Sequence, residues 1–335
     1  MSYDALVIGL GAHGSAAALA LARRGLRVLG LERFARGHEL GSSGGLYAGA
    51  AGSDVFRGSI ASAQEQGIAH EVLDAAEINR RWPIFTLDVG LGGLYDPGAG
   101  SIKPDRAIAA QLQLAEAAGA VFRFGERALD WRPASDGSIE VETDAAVHRA
   151  ARLVIAAGAW TGHFVPDLAL PLEVERMPVF WFEPKLDPAE LEVGRLPMWL
   201  VDTASDGIFY GFPYDPRAGL KVSRHHSEEI VDPDLVDRSQ HAADVDRVRR
   251  FMRDLMPAAD GPLRTSTVCL YTNTPDHHFV VDVHPAVPGV AFASACSGHG
   301  FKFAPVIGEA LADLALTGRS PLPFDQFRAA RFVAP

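Results

Sequence analysis

The hydrophobic pattern at the start of the chain alternates between two short apolar runs and one segment of small residues. Residues 5–8 are apolar, and Gly9-Leu10-Gly11-Ala12-His13-Gly14 follows them directly. An alanine-rich stretch of ten residues comes next, which is typical of a helix that ends at Gly25. A second apolar run then leads to Glu32, 18 positions after Gly14. The pattern therefore predicts a strand, a glycine turn, a helix and a second strand.

This arrangement is the fingerprint of a dinucleotide-binding unit. Gly9 permits the tight turn, Gly11 lets the backbone approach a pyrophosphate, and Gly14 lets the helix pack on the strand. The helix N-terminus offers free N–H groups to the phosphates, and Glu32 is placed to accept hydrogen bonds from ribose hydroxyls. The alternative, glycines that serve packing alone, leaves the position of Glu32 unexplained. The fingerprint does not distinguish NAD from FAD.

Two later segments repeat the combination of a strand and a turn of small residues. Residues 152–155 are predicted as a strand that leads into Ala156-Ala157-Gly158-Ala159-Trp160. Residues 289–295 are predicted as a strand before Ser297-Gly298-His299-Gly300-Phe301-Lys302, and the helix that follows stops at Gly318. We expect the turn at residues 156–160 to lie next to the nucleotide. We expect the turn at residues 297–302 to present another helix N-terminus to a negatively charged group.

Polar side chains share one face of a predicted β-hairpin in the middle of the chain. Its strands are predicted over residues 207–213 and 220–225. On the second strand Lys221, Ser223 and His225 lie on one face because side chains alternate with a period of two. A lysine and a histidine buried together indicate a functional cavity. The alternative is an edge strand whose polar face is solvated.

Three further patterns predict structure without chemistry. Residues 104–119 are predicted as a helix and residues 121–124 as a strand. Residues 244–256 predict an amphipathic helix whose acids and arginines form a solvated face. The predicted inward positions of this helix are Val245, Val248, Met252 and Leu255.

Composition limits the classes of function. The 335 residues are 48% hydrophobic and 22% charged, which is ordinary for a globular protein, and no apolar run is long enough to span a membrane. The net charge of −11 argues against nucleic acid or an anionic membrane surface as a partner. The two cysteines, Cys269 and Cys296, are too few for a disulfide scaffold and favour a reducing, cytoplasmic location. Because no histidines and acids have regular metal-ligand spacing, no metal is predicted.

Several segments together resemble a known family. They are the opening fingerprint, Glu77-Ile78-Asn79-Arg80-Arg81-Trp82-Pro83, Ala157-Gly158-Ala159-Trp160, Tyr210-Gly211-Phe212-Pro213, Val268-Cys269-Leu270-Tyr271-Thr272 and Gly298-His299-Gly300-Phe301-Lys302-Phe303. The family is that of monomeric sarcosine oxidase and N-methyltryptophan oxidase, within the D-amino-acid-oxidase-like flavoproteins. The similarity runs over nearly the whole chain, and the last two segments are the most specific to the family.

The resemblance implies an α/β fold in which an FAD-binding, Rossmann-like domain of the glutathione-reductase type is interleaved with a mixed-sheet substrate domain. The FAD-binding domain is expected over residues 1–43, 105–172 and 286–335, and the substrate domain over residues 44–104 and 173–285. The implied activity is FAD-dependent oxidation of the C–N bond of an N-methyl or cyclic secondary amino acid by dioxygen, giving an imine and hydrogen peroxide. We expect a monomer that has no nucleic acid or membrane partner.

The resemblance also implies roles for individual residues. Cys269 matches the cysteine that is bonded through sulfur to the 8α-methyl carbon of the flavin; taken alone, it would be interpreted as a small buried hydrophobic residue. Lys221 matches the lysine that activates dioxygen, and His225 matches a histidine near the substrate amine. Tyr210 and Tyr271 match aromatic walls of the pocket.

Lys302 matches the lysine that binds the substrate carboxylate through a charge-assisted hydrogen bond. The alternative is a solvated loop lysine, which the flanking Phe301 and Phe303 disfavour. Cys296 lies where the family has a different residue and is interpreted as packing. The predicted catalytic residues are Lys221, His225, Tyr210, Tyr271 and Lys302. The predicted cofactor-binding residues are Gly9, Gly11, Ala12, His13, Gly14, Glu32, Arg33, Ser42, Ser43, Ala128, Gly158, Trp160, Cys269, Gly298, His299, Gly300, Phe301 and Lys302.

The chain departs from the family after its second predicted strand. There Gly41-Ser42-Ser43 runs directly into Gly44-Gly45-Leu46-Tyr47-Ala48-Gly49, which resembles a strand that the family places about 40 to 50 residues further on. The absent part supplies flavin contacts and an arginine for the substrate carboxylate. Two explanations are open: a true deletion that leaves an open flavin site, or a printed sequence that leaves out part of the natural chain.

Three rival functions follow from the same residues. A D-amino acid oxidase or glycine oxidase has the same fold, but such enzymes hold flavin without a covalent bond, which the context of Cys269 argues against. A dehydrogenase that passes electrons to another carrier is the second rival. The third is a degenerate protein without flavin, which the absent segment makes credible.

Overall fold

The chain is described here by a computed structural model that covers residues 3–34 and 44–332. It divides into two compact units. Unit 1 comprises Met1–Leu40, Lys103–Val174 and Tyr271–Pro335, and unit 2 comprises Gly41–Ile102 and Glu175–Leu270. Each unit is therefore built from separate stretches of the sequence.

The described residues form the following strands and α-helices. The strands are β1 (Tyr3–Ile8), β2 (Val28–Glu32), β3 (Gly45–Ala50), β4 (Glu71–Asp74), β5 (Leu91–Asp96), β6 (Val121–Phe124), β7 (Ala128–Pro133), β8 (Ile139–Thr143), β9 (Val147–Ile155), β10 (Glu173–Phe182), β11 (Met198–Asp202), β12 (Ile208–Asp215), β13 (Gly219–His225), β14 (Leu263–Asn273), β15 (Val280–Val283) and β16 (Val290–Ser294). The helices are α1 (Ala12–Arg23), α2 (Asp54–Glu65), α3 (Ala75–Arg81), α4 (Pro104–Ala117), α5 (Thr161–Phe164), α6 (Ala242–Leu255) and α7 (Ala304–Thr317).

Unit 1 is a sheet with apolar clusters on both faces. Its central path runs β15-β16-β9-β1-β2-β6, and β1 is parallel to both β2 and β9. Alternate residues of β1 enter two different clusters, so Val7 packs with residues of α1, α4 and α7 while Leu6 packs with residues of β8 and β9. Helices α1 and α7 touch closely, since a Cβ on Gly308 would lie 2.5 Å from the Cβ of Ala16. Residues buried on both faces explain why the predicted strands read as continuous apolar runs.

Unit 2 contains a mixed sheet with strand order β14-β10-β13-β12-β11-β3-β5-β4. One face of this sheet carries the hydrophobic core of the unit, in which Trp199, Phe209 and Leu220 are fully buried. Helix α6 adds Phe251, whose ring stacks on Phe209 at 4.2 Å between ring centroids. The other face is less covered and is described with the candidate site.

The predicted elements agree with the structure in kind and differ at their ends. Helix α1 is followed by Gly25 (φ 82°) and α7 by Gly318 (φ 74°), so both predicted glycine ends are confirmed. One alternative and one prediction were wrong. Strand β13 lies between β10 and β12, so the alternative of an edge strand is excluded. The acids of α6 are not all solvated either, because Asp244 accepts a hydrogen bond at 2.8 Å from the buried guanidinium of Arg176.

The inward face of α6 also needs a correction. Val245, Val248 and Met252 are buried as predicted, but Leu255 is only partly buried. Phe251, which the pattern did not place inward, is 4% exposed because it stacks between aromatic rings of the sheet. In the part of the chain that the structure describes, no helix is long and apolar enough to cross a membrane, and no cluster of three metal-ligating residues occurs.

Candidate functional site

The first glycine turn, between β1 and α1, accepts only glycine at two positions. Gly9 has φ 83°, and a Cβ there would lie 2.6 Å from the carbonyl oxygen of Ala156. A Cβ on Gly14 would overlap the carbonyl oxygen of Gly9. The backbone therefore folds back on itself without side chains in the way, which is the shape that a pyrophosphate needs.

Glu32 lies at the end of β2 and reaches this turn. Its carboxylate is buried, at 6% exposure, and accepts hydrogen bonds from the backbone N–H of Leu10 at 2.9 Å and of Phe34 at 3.1 Å. The guanidinium of Arg33 lies over the rings of Phe34 and Trp160, at 5.3 and 5.5 Å. Three predicted cofactor residues, Glu32, Arg33 and Trp160, are thus brought together beside the first turn.

The turn that follows β9 joins the same region. The backbone N–H of Ala156 donates to the carbonyl of Ile8 at 2.9 Å, and Gly158 has φ 57°. Ala128 and Trp160 pack against the apolar cluster that contains Ile8. The second turn therefore lies beside the first one.

The third turn, between β16 and α7, is also built on glycine. A Cβ on Gly300 would overlap the carbonyl oxygen of Ala295, and Gly298 has φ 76°. Ser297 adopts φ 38°, a left-handed conformation that is rare for a residue with a side chain. Such strain persists only where the surrounding structure fixes it, and here the carbonyl of Thr272 accepts a hydrogen bond from the Ser297 N–H at 3.0 Å.

His13 connects the first turn to the third. Its Nε2 lies 3.3 Å from the carbonyl oxygen of Gly300. Burial lowers the pKa of His13 to about 4, and the hydrogen bond to Gly300 offsets only part of that effect. The ring is therefore neutral near pH 7, and Nε2 carries the proton that it donates.

Helix α1 begins at the first turn, whereas α7 continues a short 3-10 helix of the third turn (Phe301–Phe303), so the N–H of Ala304 already donates to the carbonyl of Phe301. Among the described residues, neither helix has a side-chain cap or an acid in its first turn. Every other helix of at least seven residues in the described ranges has one or the other. Free N–H groups and a positive helix end attract anions. With the glycine turns and Glu32, these ends fit the pyrophosphate and ribose of FAD.

The predicted catalytic residues of unit 2 lie on the open face of its sheet. We call this set the open face: Tyr210 and Phe212 from β12, Lys221 and His225 from β13, and Trp181 from β10. All five side chains are partly exposed, whereas the opposite face carries the core residues Phe180, Phe209, Leu220 and Val222. The predicted sharing of a face by Lys221 and His225 agrees with this arrangement.

Lys221 is surrounded by rings. Its Nζ lies 4.9 Å from the ring centroid of Phe212, 5.1 Å from that of Tyr210 and 5.6 Å from that of Trp181. Phe212 and Trp181 are its direct cross-strand partners on either side. Among the described residues no carboxylate pairs with Lys221, whereas Arg264 in the same unit pairs with Glu183 at 3.1 Å.

The remaining predicted site residues are distributed over both units. The ring of Tyr210 lies 6.3 Å from that of His225 on the open face. Cys269 lies on β14 in unit 2 and is exposed, so it is not the buried hydrophobic residue that it would otherwise resemble. Tyr271, on the same strand, belongs to unit 1.

Lys302 also belongs to unit 1, in the third turn. Much of its side chain is exposed, yet the protein atoms around the ammonium lower its pKa by desolvation. Cys296 is partly buried, and its carbonyl accepts hydrogen bonds from His299 N–H at 2.9 Å and Gly300 N–H at 3.0 Å. Ser42 and Ser43 lie outside the described residues.

Sequence reasoning missed Trp181 and Phe212. Phe212 lies in the segment Tyr210-Gly211-Phe212-Pro213 but was given no role, Trp181 lies in none of the segments that resemble the family, and the relation of both to Lys221 depends on which strands pair. One signal in the sequence pointed to the lysine itself. Of the 31 basic residues only four are lysine, namely Lys103, Lys185, Lys221 and Lys302, so two of the four are predicted site residues. Lysine and arginine are not interchangeable where a compact ammonium is needed.

Comparisons with known proteins agree with this geometry. A family model described as FAD dependent oxidoreductase (DAO) matches residues 42–314. This chain belongs to the DAO family. Monomeric sarcosine oxidase from Streptomyces avermitilis is 36% identical to it over 379 residues, which cover 99% of this chain and 98% of that protein. N-methyl-L-tryptophan oxidase from Salmonella enteritidis is 28% identical over 378 residues, covering 99% and 100%.

Solved structures share the fold. NikD, described as an unusual amino acid oxidase essential for nikkomycin biosynthesis, superposes with a TM-score of 0.84 at 24% identity, over 98% of this chain and 97% of that one. Glycine oxidase from Geobacillus kaustophilus superposes with a TM-score of 0.81 at 18% identity, over 99% and 100%. The predicted α/β fold and the predicted family are confirmed. The protein is an FAD-dependent oxidoreductase of the sarcosine oxidase family.

The alignment with the Streptomyces relative also bears on the absent segment. Its 379 positions take in 99% of a chain of 335 residues, or about 332, so about 47 positions face gaps in this chain. This size agrees with the 40 to 50 residues that the break after Ser43 indicates.

Proposed function

We propose that this chain oxidises the C–N bond of a small N-methyl or cyclic secondary amino acid to an imine, with dioxygen as the electron acceptor and hydrogen peroxide as the second product. The observation that carries the proposal is the uncompensated ammonium of Lys221 on an open face that also bears His225 and Tyr210. Family membership supports the cofactor, and the relatives support the class of substrate.

FAD, when bound, accepts two electrons from the amine and delivers them to dioxygen. We assign its binding to unit 1, with the pyrophosphate at the first glycine turn, the ribose at Glu32 and the third turn as a second contact. We assign the substrate and dioxygen contacts of unit 2 to Lys221, His225 and Tyr210 on its open face. We propose that unit 1 is the FAD-binding domain and unit 2 the substrate domain; the unit boundaries near residues 40, 102 and 174 lie close to the predicted ones, whereas the last lies near residue 270 and not at 285.

Each proposed catalytic side chain has one task. The Lys221 ammonium stabilises negative charge that develops on dioxygen. Lys302 binds the substrate carboxylate by a charge-assisted hydrogen bond. His225 holds the substrate amine, and the rings of Tyr210 and Tyr271 are each proposed to supply an aromatic contact to the substrate.

The substrate class is tested by a peroxide assay with sarcosine, N-methyltryptophan, pipecolate and proline, and with glycine and D-alanine as the rival substrates. We expect peroxide from at least one secondary amine and a lower kcat/KM for the primary amines. Preference for glycine or D-alanine would select the rival oxidase. Reduction by amines with no reoxidation by dioxygen would select a dehydrogenase, and a colourless protein a degenerate member of the family.

The role of Lys221 is tested with Lys221→Met in the two half-reactions. We expect the second-order rate constant for reoxidation by dioxygen to fall by about 10²–10³, because one preorganised charge at a developing anion contributes that much. Reduction by the amine should change far less. Equal slowing of both half-reactions contradicts the assignment of Lys221 to dioxygen.

We further propose that Cys269 attaches the flavin through its sulfur, as its exposure on β14 permits. Acid-precipitated wild-type protein should then stay yellow, because a covalent bond survives denaturation. Cys269→Ser should release its colour into the supernatant, and the matched variant Cys296→Ser should retain colour in the pellet. Colour lost from the pellet of both wild type and variants excludes a covalent bond.

A further inference from the structure

The ammonium of Lys221 is stabilised by aromatic rings in place of an acid. The rings of Trp181, Tyr210 and Phe212 all lie within 5.6 Å of its Nζ. No described residue accepts a hydrogen bond from this ammonium or forms an ion pair with it. By contrast Lys185, in the same unit, donates to the carbonyl of Pro257 at 3.3 Å. The environment of Lys221 is thus distinct from that of an ordinary surface lysine.

The sheet places these rings by register. Trp181 in β10 and Phe212 in β12 lie directly opposite Lys221 from two sides, since β13 runs between those strands. Directly opposed residues have their Cβ atoms about 4.5–5.5 Å apart, which is close enough for an aromatic ring to pack against a lysine stem. The lysine is therefore confined on both sides and projects away from the sheet.

Rings and carboxylates stabilise a cation with different consequences. A carboxylate supplies a full negative charge, which neutralises the ammonium toward any third group. An aromatic face attracts the ammonium through its quadrupole and supplies no net charge. A lysine held by rings therefore keeps its whole positive charge for an incoming anion.

We propose that Trp181 and Phe212 are positioning residues that hold the Lys221 ammonium in place by cation–π contacts and leave its charge uncompensated. This inference rests on the proposed function of Lys221 in the reaction with dioxygen. It assigns roles to two residues that touch neither substrate nor cofactor in the argument above. Loss of either ring should loosen the ammonium and weaken its action on dioxygen without altering the binding of the amino acid.

The first test measures the half-reactions of the holoenzyme in Phe212→Leu and Trp181→Leu, with Lys221→Met as the reference. We expect the rate constant for reoxidation by dioxygen to fall about threefold to tenfold in each, which is the range that a cation–π contact supplies. The rate constant for reduction by the amine should stay within about twofold. If Lys221→Met leaves reoxidation unchanged, the proposed function of Lys221 fails; if only Lys221→Met slows it, this inference alone fails.

The second test separates ring electronics from packing. Replacing Phe212 by mono-, di- and trifluorinated phenylalanine keeps the shape of the ring but progressively weakens its negative face. We expect the reoxidation rate to fall in steps with fluorination. Phe85, buried in the same unit and in edge contact with Trp199 at 5.8 Å, is the matched control and should show no such trend. A flat series at Phe212 overturns the proposal.

A spectroscopic measurement makes the test independent of activity. Because the chain has only four lysines, labelling with ε-¹³C lysine gives four resonances, and Lys221→Met identifies the one of interest. Ring currents should shift the ε-protons of Lys221 upfield in the wild-type enzyme. Phe212→Leu and Trp181→Leu should each remove part of that shift. If the Lys221 resonance of the wild type lies at the position of a solvated lysine, the proposed contacts with the rings are wrong.

Discussion

The helices of the two units differ in how their N-terminal ends are stabilised. In unit 2, α2 begins after Ser53, whose side chain accepts a hydrogen bond from Phe56 N–H at 3.2 Å. Helix α3 begins after Asp74, whose carboxylate accepts from Glu77 N–H at 2.8 Å. In unit 1, α1 and α7 begin without a cap and without an acid, although α4 of the same unit carries Asp105 in its first turn.

We infer from this difference that capped helix ends serve the fold and that the uncapped end of α1 is the one proposed to bind a ligand. A structural helix satisfies its first N–H groups with its own side chains, because unsatisfied donors cost free energy. Helix α1, which is uncapped at its glycine turn, keeps those donors for an anion. Lys221 resembles α1 in this respect, since among the described residues it has no acidic partner, whereas Arg264 in the same unit pairs with Glu183. The N-terminus of α1 and the ammonium of Lys221 are both proposed to act on ligands, and among the described residues both lack a capping or acidic partner.

The difference between capped and uncapped helix ends is tested most directly by adding an acid to α1. Ala12→Asp places a carboxylate in the first turn, where the helix dipole favours it by about 0.3–1 kcal/mol in the flavin-free protein. One negative charge of a bound pyrophosphate about 5 Å away would be repelled by about 3 kcal/mol at an effective dielectric constant near 20. We therefore expect FAD affinity to fall by at least about 100-fold while the flavin-free protein keeps its stability, measured by flavin titration and thermal unfolding.

Ala12→Asn is the matched control, because asparagine has the shape of aspartate without its charge. Its FAD affinity should stay close to that of the wild type. Equal losses in the two variants would mean that bulk, and not charge, disturbs the turn. No loss in either would place the pyrophosphate elsewhere.

The sequence predicted those features that depend on neighbouring residues. The glycine turn, Glu32 and the ends of α1 and α7 follow from local backbone conformation and short-range spacing. The ring contacts of Lys221 do not follow from short-range spacing, because they require β13 to pair with β10 and β12. The edge-strand alternative was wrong for the same reason. The sequence around β13 does not indicate that β10, some forty residues earlier, pairs with it.

The burial of Arg176 was missed on similar grounds. Arg176 is fully buried, and its guanidinium is paired with Asp244 on α6 and with Glu229. A buried charge is tolerated only when partners surround it, and these partners come from positions more than fifty residues away. The sequence pattern of α6 alone predicts a solvated face for Asp244, because that pattern contains no information on an arginine from another element.

The link between the first and third turns of unit 1 is tested by pH. The pKa of His13 is about 4 in the folded protein and near 6.5 in the unfolded chain. Between these values the unfolded chain binds more protons, so the free energy of unfolding falls as pH drops from 6.5 toward 4. The stabilisation is fully present above pH 6.5. We expect a loss of about 2 kcal/mol across that window, reduced from the full linkage value because the ring retains some solvent contact.

The measurement compares denaturant unfolding of wild type and His13→Gln between pH 7 and pH 4.5. Glutamine keeps a donor for the Gly300 carbonyl but does not titrate, so the stability of the variant should decline less steeply. Parallel curves would show that His13 does not gain its proton more readily on unfolding. The neutral donor proposed between the turns would then be wrong.

The smallest effect is expected at the capped end of α2 in unit 2. Ser53→Ala removes the side-chain oxygen that accepts from Phe56 N–H, which should lower the free energy of unfolding by about 1 kcal/mol. Flavin content should not change, because this helix end is completed within the chain. Ser59→Ala, the same substitution in the interior of α2, should be neutral or slightly stabilising since alanine favours helix. If Ser53→Ala impaired flavin binding as Ala12→Asp is expected to do, the distinction between helix ends that serve the fold and those that serve a ligand would not hold.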